Sequence, residues 1–142
     1  MEDKYLVGID EYKVLNDKNP IGYTRDINSC IGLLLHRKES TIIMHIEAYE
    51  KNIELDNLFE LLKDKKNPVL KAEIFQGPNT AKGNLSILYF LFARLGIYHE
   101  FYKAFKSVSN EISLGYNYNT KEYLGVSMDR GKPIFSRRRL RK

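Results

Sequence analysis

The sequence holds one cysteine in 142 residues, which rules out an intramolecular disulfide. One cysteine and three histidines are also thin for a zinc centre, which asks for about four clustered ligands. No metal or organic cofactor is expected, and a lone thiol fits a reduced, cytoplasmic setting. The opening residues MEDKYLVGID lack a basic stretch followed by an apolar one, so a secretory leader is not expected. The longest apolar run, LSILYFLFARLGIY, is too short to cross a bilayer and carries Arg94, so membrane insertion is not expected either. Repeats, low-complexity tracts and linkers are missing too.

A general excess of one charge is also lacking. The formal net charge is +5, but the segment SRRRLRK at 136–142 holds five basic residues, and the rest is close to neutral. A basic terminal segment is ordinarily a solvated end, so nucleic acid is not the expected partner. The 43% hydrophobic content is that of a globular chain. The organisation that follows is a single domain over 1–135 and a basic tail over 136–142.

What is present is mostly strand. YLVGI, IGYT, SCIGLLLH and TIIMHIEA are short β-rich runs, and the last two are apolar at nearly every position, which predicts strands covered on both faces. In IELDNLFELLKDKK the period changes. Leu55, Leu58, Phe59 and Leu62 recur at helical spacing and predict an amphipathic helix over 54–65. VLKAEIF is a further strand. NLSILYFLFARLG reads as a second helix, with Asn84 a candidate N-cap and Gly96 a candidate C′ residue. IYHEFYKAF, EISLGYNYN, EYLGVSM and KPIFS read as strands, with the ten tyrosines at amphipathic strand positions. The pattern is an α+β domain whose sheet-rich core carries two main helices on one face.

The chemistry-bearing residues fall in SCIGLLLHRKESTIIMHI. An antiparallel hairpin turning through HRKE, centred between Arg37 and Lys38, pairs residues whose numbers sum to 75 and sets Cys30 directly opposite His45. Such pairs have Cβ atoms about 4.5–5.5 Å apart. A thiol at neutral pH needs a base to become a good nucleophile, and an imidazole both takes the proton and stabilises the thiolate. Thr24, in the preceding segment, is available to orient the ring through its hydroxyl or its carbonyl. Spacing alone favours a plainer reading, because single cysteines often serve as small buried hydrophobes. His36 in the turn is expected to be solvated, His99 a core or surface strand residue, and Asp26 a loop carboxylate.

NPIGYTRDINSCIGLLLH followed by MHI resembles the chemoreceptor glutamine deamidase family, CheD. That family shows a proline, a threonine, a Gly-Ser-Cys turn entering an apolar strand, and a histidine-isoleucine pair further on. Pro20, Thr24, Ser29, Cys30, His45 and Ile46 stand at those places. KAEIFQGPN and NLSILYFLFARLGI are similar to the family's later strand, loop and helix, so the likeness covers roughly residues 5–130. Asn28 replaces the family's glycine, EAY its Leu-Pro, and QGPN its Gly-Gly-Ala loop. The Cys-His core also resembles that of the cytotoxic necrotizing factor toxins, which deamidate a glutamine on a host GTPase.

The resemblance implies a layered α/β/β sandwich and a protein-glutamine deamidase. Cys30 is then the nucleophile, His45 the base and Thr24 its orienting partner, with backbone N–H groups at Asn28 and Ser29 facing the oxyanion. The implied partner is a protein bearing an exposed glutamine, a chemoreceptor or another. The alternatives are a non-catalytic binding module on the same fold, a secreted effector acting on a host protein, and transglutamination through the same thioester.

Overall fold

The computed structural model describes residues 3–25, 27, 30–47, 60–77, 82–103, 114–124, 128–129 and 132–133. The expectations for Asp26, Asn28, Ser29 and the basic tail lie outside the described residues.

The fold is a sheet-dominated α+β sandwich. Its central layer is a five-stranded sheet in the order β1-β4-β3-β5-β6, formed by Glu11–Leu15 (β1), Ile31–Arg37 (β3), Thr41–Ile46 (β4), Val69–Gln76 (β5) and His99–Lys103 (β6). A second, three-stranded sheet has Ile21–Thr24 (β2), Leu114–Asn117 (β7) and Glu122–Leu124 (β8) in the order β2-β7-β8. Met128–Asp129 (β9) and Lys132–Pro133 (β10) pair with each other. The main described helix, Lys82–Arg94 (α1), lies between β5 and β6 in the chain and supplies the crossover that their parallel pairing needs.

The side-chain period of two sorts the core into two layers. Ile31, Leu33 and Leu35 of β3, with Ile42, Met44 and Ile46 of β4, pack with Ala72 and Ile74 against Leu88 and Phe92 of α1. The intervening residues Leu34, Ile43 and Phe75 point the other way, onto Leu114, Tyr116 and Tyr123 of the second sheet. Both faces of β3 and β4 are therefore covered, as their unbroken apolar runs predict. Residues 60–62 are helical, and Leu61 and Leu62 pack on the α1 side. The rest of the helix expected over 54–65 lies outside the described residues.

Three local expectations are corrected. YLVGI is no strand: a 3-10 turn covers Asp3–Tyr5, a lone bridge joins Leu6 to Tyr23, and the strand begins at Glu11. An edge strand carrying Glu11 and Lys13 shows a weak apolar signal, which the sequence pattern passed over. Asn84 lies inside α1, two residues past its start, and is not its cap. At the other end Gly96 does close the helix with φ +71°, Ile97 N–H bonding to Phe92 O at 2.9 Å and Gly96 N–H to Ala93 O at 3.1 Å. That pair of bonds is the Schellman pattern, whose left-handed residue favours glycine.

The third correction moves the hairpin register. β3 and β4 pair Ile31 with Ile46 and Gly32 with His45, so the residue numbers sum to 77. The turn is the two-residue Lys38-Glu39, closed by Arg37 N–H to Ser40 O at 2.7 Å. Asn67, distant in sequence, holds it there: its Oδ1 accepts Glu39 N–H at 2.8 Å and its Nδ2 donates to Ser40 Oγ at 3.1 Å. The turn centre is thus set by a tertiary contact. A shift of two keeps every residue on its predicted face, where a shift of one would have inverted them all.

Gly32 occupies the position opposite His45. A Cβ there would stand 2.9 Å from Ile27 Cδ1 and 3.0 Å from Leu114 Cδ2, both in fully buried side chains. Gly32→Ala is expected to destabilise the fold by about 1–3 kcal/mol through overpacking. A lower urea midpoint at unchanged m-value is the check.

Candidate functional site

The structure brings Thr24 and His45 together across the two sheets. Thr24 ends β2, His45 lies one residue from the end of β4, and both are buried, at 1% exposed. Thr24 Oγ1 is 2.7 Å from Val7 O and 2.6 Å from His45 Nδ1. A hydroxyl has one proton and two lone pairs. Val7 O can only accept, so that proton goes to Val7 and the oxygen accepts from His45. The proton of a neutral His45 ring is then on Nδ1, leaving the Nε2 lone pair as the basic site.

Cys30 sits immediately before β3, buried at 6% exposed, and its carbonyl accepts Gly77 N–H at 3.3 Å in continuation of the β3–β5 ladder. It does not stand directly opposite His45, because Gly32 does. Pleat alternation carried one step past the strand start puts Cys30 on the face of Gly32 and His45. The Arg37–Ser40 closing bond makes Gly32–His45 a non-hydrogen-bonded pair, counting outward from the turn. At such pairs the right-handed twist favours the diagonal from His45 to Cys30, about 7–8 Å between Cα atoms and within reach of an imidazole.

Thr24→Val keeps the shape but removes the acceptor for Nδ1–H. We expect it to abolish any acceleration that His45 gives to Cys30 alkylation near neutral pH, and to lower stability by about 1–3 kcal/mol. Thr24→Ser should preserve both, as read by the rate of thiol labelling with iodoacetamide.

Sequence reasoning missed a second buried polar cluster on the same face, at the other end of β3. His36 is half-buried rather than solvated. Its Nε2 donates to Glu73 Oε1 at 2.7 Å, its Nδ1 is 3.2 Å from Thr41 Oγ1, and its ring meets Tyr116 edge-on. Glu73, fully buried in β5, also accepts from the Tyr123 hydroxyl at 2.5 Å. Burial raises the Glu73 carboxyl, but His36, the Tyr123 hydrogen bond and Lys71 outweigh it and hold it below the usual 4.5. The signal was a glutamate inside the apolar strand KAEIF, since a carboxylate there must find partners. His99, on β6, is half-buried among Tyr89, Phe92 and Phe101.

Among the described residues no three or more His, Cys, Asp or Glu side chains are grouped to hold a metal ion. No described helix is long and apolar enough to cross a membrane. No family model matches the chain, and no curated protein matches it.

Proposed function

We propose that the chain is a cysteine-dependent amidohydrolase that deamidates a glutamine side chain of a partner protein, related in mechanism to the CheD family and the cytotoxic necrotizing factor toxins. The observation that carries this reading is the Val7–Thr24–His45 relay, which leaves the basic nitrogen of a buried imidazole on Nε2. Cys30, on the adjoining diagonal, is the thiol that such a base would serve.

His45 Nε2 takes the Cys30 proton and the thiolate attacks the glutamine amide carbon, forming a C–S bond and a tetrahedral oxyanion. Backbone N–H groups of Asn28, Ser29 and Cys30 are the proposed oxyanion donors, on sequence grounds. Collapse breaks the C–N bond while the imidazolium protonates the departing ammonia. Water, deprotonated by His45, then hydrolyses the thioester and frees glutamate and the thiol. An amine in place of that water gives transglutamination. The reaction as written calls for no cofactor, and a reduced cytoplasm keeps the thiol available. A secreted effector using the same chemistry would differ only in where its target lies.

Deamidation turns a neutral side chain into an anion on the partner's surface, which on a helix changes charge pairing at neighbouring turns. The test is incubation with a glutamine-peptide library and with lysate proteins, read as ammonia release and a mass gain of about one dalton. Gain with the wild type and none with His45→Ala supports the proposal. The second reading, a binding module in which Cys30 is a core residue, draws on the 6% exposure of Cys30. It predicts no mass gain on any peptide and equal, slow alkylation of the wild type and His45→Ala.

A further inference from the structure

We infer that Asp10 is a positioning residue for His45, its carboxylate tying down the end of β4 from a bulge just ahead of β1 and so fixing where the imidazole points. The inference rests on the reading of His45 as the base that serves Cys30.

A base is aimed by two things, the rotation of its ring and the placement of its own backbone. The ring is set by Thr24, whose hydroxyl is in turn oriented by Val7 O. The backbone is set three residues along the same segment: Asp10 N–H donates to His45 O at 2.6 Å. Both anchors therefore come from residues 7–10. Their spacing is fixed by a turn, with Glu11 N–H bonded to Gly8 O at 3.1 Å and Gly8 N–H to Glu11 Oε1 at 2.8 Å.

The β1–β4 register pairs Glu11 with His45. Asp10 N–H reaches that same carbonyl, so Asp10 and Glu11, the first residue of β1, both oppose one residue of β4, and Asp10 has φ +63°. This is the arrangement of a G1 bulge, a device that recurs beside active sites and re-aims a neighbouring side chain, and its first position is ordinarily glycine. Aspartate adopts positive φ less readily than glycine. Its side chain, however, makes a bond that glycine cannot: Asp10 Oδ1 accepts Glu47 N–H at 3.1 Å. Asp10 thus holds the His45 carbonyl with its own N–H and the Glu47 N–H with its carboxylate, bracketing Ile46 where β4 ends. Without the carboxylate, the chain after His45 loses its anchor on the β1 side of β4.

Asp10→Gly and Asp10→Asn separate aim from folding. Glycine keeps the backbone conformation and removes only the carboxylate, while asparagine tolerates positive φ and keeps an Oδ1 acceptor. Three readouts are compared on the full chain: the thermal midpoint, the pH profile of Cys30 alkylation by iodoacetamide, and the 15N shifts of the His45 ring. Asp10→Gly is expected to fold with a midpoint close to wild type, to lose about ten-fold in alkylation rate at neutral pH, and to shift its profile toward that of His45→Ala, with the ring 15N shifts moving toward a mixture of tautomers. Asp10→Asn should restore the wild-type profile and shifts. An Asp10→Gly profile and ring shifts identical to wild type would overturn the inference, as would Asp10→Asn behaving like Asp10→Gly. A wild type whose alkylation profile already equals that of His45→Ala removes the base reading itself and the inference with it. The wild-type comparison alone distinguishes that failure.

Discussion

Cys30→Ser is expected to abolish glutamine deamidation, by at least about 10³-fold, while the protein stays folded. Serine replaces a soft sulfur by an oxygen whose proton a single imidazole removes far less readily, so the first bond to the amide carbon does not form at a useful rate. The fold should tolerate the change because the proposed base is also a hydrogen-bond acceptor. With Nδ1–H engaged by Thr24, Nε2 of His45 can receive a hydroxyl proton, and a satisfied buried hydroxyl avoids the desolvation cost. If Cys30 were only a small hydrophobe whose side chain does not reach His45 Nε2, the serine hydroxyl would be buried without that acceptor and would cost about 1–3 kcal/mol. The measurement is paired: thermal midpoint and ammonia release on the same preparations. An unchanged midpoint with activity abolished supports catalysis. A clear loss of midpoint, with a wild type that releases no ammonia from any peptide, leaves Cys30 as core.

The parts of this site that could be read from the sequence are those that depend on parity and pattern. SCIGLLLH and TIIMHIEA are apolar at consecutive positions, and the strands they form are buried on both faces. The face of His45 was also legible, because any even-length turn sets it opposite an even-numbered residue of β3, as Gly32 is. Register was not legible. It was decided by Asn67, which reaches the turn from outside the hairpin and closes it at Lys38-Glu39. Thr24 could be named as the ring's partner, but the direction of its proton depends on Val7 O, 17 residues earlier in the chain. The Asp10 bulge was hidden for a related reason. Nothing in VGIDEY distinguishes a strand from a turn and bulge until β4 is placed beside it. His36 was misread because its partner is in another strand, 37 residues away.

The largest stability effect is expected from that misread residue's partner. Glu73→Ala should cost about 3–5 kcal/mol, since it deletes a fully buried carboxylate and leaves neighbouring donors without their acceptor. Both the Tyr123 hydroxyl and His36 Nε2 converge on Glu73 Oε1. Acid titration separates charge from shape. Burial works to raise the Glu73 carboxyl, but His36, Tyr123 and Lys71 together bring it below 4.5 in the folded chain. A carboxyl lower in the folded than in the unfolded state binds fewer protons when folded. Its stabilisation is therefore complete above the unfolded value and is lost as pH falls through the folded one. Glu73→Gln preserves size and removes the titration. Chemical denaturation of the wild type and Glu73→Gln across pH 7 to pH 3 should show the wild type more stable near neutrality by about 1.5–3 kcal/mol, and the gap should narrow below the unfolded carboxyl value of 4.5. A gap that stays constant across that range would mean the network holds Glu73 by shape and hydrogen bonding alone, and would remove the electrostatic account of why a carboxylate sits at the centre of this sheet.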